Sequence, residues 1–154
     1  MGLDADFTIH VHWGEKDPIT GRGDTHPMKD GWPIQEQRLH VLRLRKNNRI
    51  HAWVCKNVNP QAAECEEVCI SVDKLKELEQ ALSAFATDEN ALPECPDELW
   101  GSFFGSREVT HDEMECAPHF ANKIREMREY IEKNETENID LYAPSVIGFY
   151  WASW

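Results

Sequence analysis

The chain reads as a single α+β domain, a mostly antiparallel sheet packed against about three helices, and three observations carry that reading. Leu3, Ala5, Phe7, Ile9, Val11 and Trp13 alternate with Asp4, Asp6, Thr8, His10 and His12, the period of two that a half-buried strand requires. Three stretches, near residues 45–58, 71–86 and 118–133, repeat apolar residues at helical spacing instead. The segment from Val146 to Trp154 is apolar and aromatic and reads as a closing strand. With 154 residues, the chain suits one domain over 1–154, long enough to bury a core of its own.

After the first strand, residues 14–37 carry Gly14, Pro18, Gly21, Gly23, Pro27, Gly31 and Pro33, a density of breakers that predicts a long loop. Loops of that length without structure are uncommon in compact domains, so this one is a candidate flap over a site. Residues 38–44, with Leu39, Val41, Leu42 and Leu44, fit either a second strand or the first turn of the helix that follows. That helix carries Ile50, Trp53, Val54 and Val58 on one face and stops at Asn59-Pro60. Val68-Cys69-Ile70 predicts a short strand. Ser71 reads as the N-cap of a helix with Asp73 in its first turn and Val72, Leu75, Leu78, Leu82 and Phe85 as its core stripe. Residues 87–100 are acidic and broken by proline, hence a surface loop, and Gly101 to Ser106 form a short apolar element between glycines. Thr110 or Asp112 can start the next helical region, Pro118 suits a first helical position, and Phe120, Ile124, Met127 and Ile131 give its stripe.

Composition excludes several classes. No apolar run approaches the roughly 18 residues of a membrane span, and Met1 to Asp6 lacks the pattern of a secretory signal, so a cytoplasmic protein is expected. Five cysteines without a Cys-x-x-Cys pair predict reduced thiols rather than a disulfide framework or a zinc ribbon. The formal charge is −12 but uneven: residues 38–56 hold six Lys and Arg and no acid, while 61–98 hold eleven acids against two bases. A field this negative disfavours direct nucleic-acid binding, although a local basic island can hold a small anion; the plainer alternative is that these bases balance carboxylates elsewhere in the fold. His10 and His12 share one face of the first strand at a spacing metal sites use, but surface histidines are the commoner case, and neither a metal nor a cofactor is expected. No phosphate loop, serine elbow or zinc-protease helix is present.

The densest basic cluster coincides with the first helical stripe. Arg45, Lys46 and Arg49, with His51, are candidate anion contacts, Asn48 an orienting amide, Trp53 or Phe104 an apolar wall, and Ser106 a further ligand-binding residue. His51 adjoins the stripe and could act as an acid or base, but no carboxylate or thiol stands at a recognisable spacing beside it, so the reading leans to a binder over an enzyme acting on a nucleotide.

The sequence Leu44-Arg45-Lys46-Asn47-Asn48-Arg49-Ile50-His51-Ala52-Trp53-Val54-Cys55-Lys56-Asn57-Val58, the opening Met1-Gly2-Leu3-Asp4, the Ser71-to-Leu75 and Phe103-to-Ser106 segments and the Tyr150-to-Trp154 end together resemble a family of uncharacterised bacteriophage and prophage proteins. The chain departs from that pattern at Leu44, Val54 and Cys55, where the family has Trp, Phe and Val. The resemblance implies a phage accessory protein in the host bacterial cytoplasm and supplies no activity. Joined to the basic island, it leads us to expect a protein that counters host defence by sequestering a small anionic, nucleotide-like ligand. The alternative is an acidic interaction protein that blocks a basic surface on a host defence protein. Self-association is compatible with either.

Overall fold

The computed structural model describes residues 3–13, 28–33, 36–97, 108–137 and 145–153. Their architecture is α+β. Strands β1 (Asp4–His12), β4 (Glu36–Arg45), β5 (Val68–Ile70) and β6 (Ser145–Ser153) form one antiparallel sheet in the order β4-β1-β6-β5. A second, two-stranded sheet pairs β2 (Met28–Lys29) with β3 (Trp32–Pro33). Helices α1 (Asn48–Asn57), α2 (Val72–Phe85) and α3 (His111–Glu137) complete the set.

The alternation in β1 does what its period requires. Ala5, Phe7, Ile9 and Val11 are buried on the inner face, and Val146, Tyr150 and Ala152 of β6 join them there. The helical stripes close on this surface: Ile50, Trp53 and Val54 from α1, Leu75, Leu78, Leu82 and Phe85 from α2, and Ile124, Met127 and Ile131 from α3 belong to the same core. Ser71 caps α2 by accepting the Lys74 N–H at 3.3 Å. Helix α3 opens on a reciprocal capping box, in which Thr110 Oγ1 accepts from the Glu113 N–H at 3.2 Å and the Glu113 carboxylate accepts from the Thr110 N–H at 2.9 Å. The box starts this helix seven residues before Pro118, which therefore lies inside it and costs a single ladder bond. Glu79 of α2 clasps α3 through Arg125 Nε at 2.7 Å and Arg128 Nε at 3.1 Å.

Three expectations need correction. The first helix begins at Asn48, because Glu36–Arg45 is a ten-residue strand; Arg45 and Lys46 precede the helix rather than flanking its stripe. The segment 14–37 is not loop throughout: Asp30 (φ 54°) and Gly31 (φ 83°) both adopt the left-handed region that a two-residue hairpin turn demands, and β2 and β3 flank them. Residues 14–27, where a flap was expected, lie outside the described residues. The third helix spans His111–Glu137 and not 118–133 alone.

Gly148 sets how closely α3 approaches the sheet. A Cβ there would stand 2.9 Å from Met127 Cε, 3.1 Å from Ile131 Cδ1 and 3.2 Å from the Ile70 carbonyl oxygen, so any side chain overpacks the contact. Gly148→Ala is expected to lower the free energy of unfolding by ~1–3 kcal/mol in urea denaturation. An unchanged midpoint would mean that the helix is not held this close.

Candidate functional site

The structure separates the residues of the basic island. Arg45, at the end of β4, is 78% exposed and its Nε lies 3.4 Å from Asp4 Oδ1. Lys46 occupies the turn into α1 with φ 54°, its backbone N–H donating to the Leu3 carbonyl. Asn47 is the N-cap, accepting the Ile50 N–H at 3.0 Å, and Asn48 behind it is buried. Arg49 is buried as well; its guanidinium donates to the Leu92 carbonyl at 3.2 Å and lies 3.9 Å from Glu94. The hollow beside it, lined also by Glu89, Asn90 and Glu108, is ringed by carboxylates that repel an anion. Trp53 is a core residue, and Phe104 and Ser106 lie outside the described residues. The hollow beside Arg49 takes in none of the other described candidates.

His51 is fully buried. Its Nδ1 shares a 2.7 Å hydrogen bond with the Tyr150 hydroxyl, and its Nε2 lies 3.5 Å from Cys55 Sγ. Cys55 in turn borders a largely apolar cleft of about 440 Å³ with Ala52, Lys56, Pro60, Pro93, Glu94 and Pro96. A cysteine paired with histidine beside a cleft suggests a nucleophile, but the electrostatics run the other way. Burial pushes His51 down to about 4, and burial, followed by repulsion from Cys95, pushes the Cys55 thiol up to about 11. Both groups are neutral at pH 7, whereas a nucleophilic thiolate needs the thiol lowered and the imidazole charged. The triad of Cys55, His51 and Tyr150 therefore ties α1 to β6 as a buried polar link.

A different cleft gathers accessible polar groups. The β-bulge at Val41, between the pairs Phe7–Leu42 and Thr8–His40, keeps Arg38, His40, Arg43 and Arg45 on one face although their spacing is not a strict alternation. Opposite them on that face stand Asp4, Asp6, Thr8 and His10 of β1, then Phe149 and Trp151 of β6. Asp6, Thr8, Arg38, His40, Glu67 and Trp151 line a hollow of about 420 Å³. The Trp151 indole N–H donates to the Cys65 carbonyl at 3.0 Å, which fixes a ring left 38% exposed. His10 stacks on Phe149 at 4.2 Å between ring centroids, with Glu67 3.7 Å from its Nε2 and Glu36 4.0 Å from its Nδ1. Arg38 spans the same two carboxylates at 3.4 and 3.9 Å. Among the described residues no group of three His, Cys, Asp or Glu side chains converges to hold a metal. Sequence reasoning missed this cleft because three of its strands meet only through long-range pairing, and the bulge hid the alternation of β4.

Because His51 is buried neutral, the unfolded chain binds its proton more readily. Stability from this group is complete above pH 6.5 and lost as pH falls towards 4, a change of about 3 kcal/mol at most. Urea midpoints measured at pH 7 and 4.5 should fall steeply for the wild type and less for His51→Gln; equal slopes would place a charged imidazole in the folded state.

No helix among the described residues is long and apolar enough to cross a membrane. No protein-family model, curated protein or solved structure matches the chain.

Proposed function

We propose that the chain is a non-catalytic binding protein that holds a small nucleotide-like ligand on the open face of its sheet. The observation that carries this reading is the 420 Å³ hollow lined together by an exposed, anchored Trp151 ring, Thr8, Arg38 and His40. An indole face stacks on a base, and a guanidinium takes a phosphate in a bidentate grip. Arg38 is 56% exposed and its contacts to Glu36 and Glu67 are long, so each is worth well under ~1 kcal/mol and gives way readily to a phosphate. Arg43 and Arg45 extend positive charge along the same face, which favours the anionic end of such a ligand.

The neutral His51 and the raised Cys55 thiol favour sequestration over conversion. A role in countering host defence is carried by the resemblance to phage proteins and belongs to the same proposal.

Thermal melts with mononucleotides and cyclic nucleotides test the reading. A ligand present at 100 times its Kd should stabilise the fold by about 2.7 kcal/mol. Arg38→Ala and Trp151→Ala should each remove the shift, while Lys56→Ala, at the apolar cleft, should keep it. No shift with any nucleotide would overturn the proposal, and a chemically altered nucleotide recovered in excess over protein would overturn sequestration.

A further inference from the structure

We infer that the base held in this cleft is guanine, selected by the carboxylate of Asp6, an inference that rests on the nucleotide reading above. Four acidic residues share the open face near the cleft, and three are engaged, Glu36 by Arg38 at 3.9 Å and His10 at 4.0 Å. Asp4 takes Arg45 at 3.4 Å and Arg43 at 3.8 Å, and Glu67 takes Arg38 at 3.4 Å and His10 at 3.7 Å. Asp6 lies between them in the sheet, lines the cleft, and makes no hydrogen bond or ion pair with any described residue. Its two oxygens are carboxylate acceptors left uncommitted among the described residues.

Asp6 is also the direct cross-strand neighbour of Trp151. Side chains so paired start about 5 Å apart, so a base stacked on the indole presents its edge to this carboxylate. An ionised carboxylate accepts at two oxygens and donates nothing. Guanine alone among the common bases offers two adjacent donors, N1–H and the 2-amino group, spaced to fit that fork. Adenine and cytosine each set a ring lone pair beside their amine, and uracil flanks its N–H with carbonyl oxygens, so all three place an acceptor against the negative charge. On the other wall, Arg38 and His40 remain for the O6 and N7 acceptors of guanine or for the phosphate, the pattern by which arginine reads guanine elsewhere.

Calorimetry of the whole chain against GMP, IMP, AMP, CMP and UMP decides the matter. GMP should bind at least about tenfold more tightly than AMP, with IMP, which lacks the 2-amino donor, in between. Asp6→Asn should erase the preference while retaining some affinity, and Trp151→Ala should weaken all five together. If Asp6→Asn does not fold, the wild-type series from GMP through IMP to AMP carries the test by itself. Equal affinity for GMP and AMP would overturn the guanine inference and leave nucleotide binding standing. A GMP preference that survives in folded Asp6→Asn would overturn the role of Asp6. No binding of any of the five would overturn the guanine inference, and joined to the absence of a thermal shift with every cyclic nucleotide it would overturn both.

Discussion

Backbone pairing on both edges of β1 is the constraint on which the other described elements depend. Over nine residues this strand pairs with β6 on one side and, interrupted at Val41, with β4 on the other. Its alternation then decides everything laid against it: Ala5, Phe7, Ile9 and Val11 are buried in the core, while Asp6 and Thr8 line the cleft and His10 shares their face. A slip of one residue would drive Asp6 and His10 into the core and Phe7 into water, and desolvating an unpaired carboxylate is far costlier than the register can tolerate. Core and candidate site are thus two faces of one pattern.

Much of this frame was legible in the residues. The β1 alternation, the Ser71 cap, the Val68–Ile70 strand and the closing strand all rest on local chemistry that tertiary contacts reinforce. What escaped was chemistry that local spacing disguises. The bulge at Val41 shifts Leu39, Val41, Leu42 and Leu44 out of strict alternation, so β4 resembled the run-in to a helix. The Asp30-Gly31 pair, a strong hairpin signal, was lost among neighbouring breakers. At the site, a dense run of bases said nothing of which side chains face solvent: Arg49 and His51 turned inward to satisfy Leu92 and Tyr150, and the groups that do share a cleft come from strands far apart in sequence.

The dispersal of the basic island also changes how charge is used. Six bases in one run suggested an anion trap in a molecule of formal charge −12. In the fold, Arg38, Arg43, Arg45 and Arg49 each stand near a carboxylate. The resulting open face is amphoteric, with acceptors and cations interleaved at strand spacing, and suits a ligand that carries donors at one end and negative charge at the other better than a simple anion.

The pairing of β1 with β6 has a kinetic consequence. Residues 4–12 emerge from the ribosome long before 145–153, so one edge of the central strand stays bare through most of synthesis, and β5, whose only sheet neighbour among the described residues is β6, waits for that strand too. Closing a loop of that length is entropically slow, and an exposed strand edge invites pairing with other nascent chains. Because Glu67 precedes β5 and Trp151 lies in β6, the walls of the cleft come together only at the last step of sheet assembly, and a chain stalled before that point would display β1 without possessing a site.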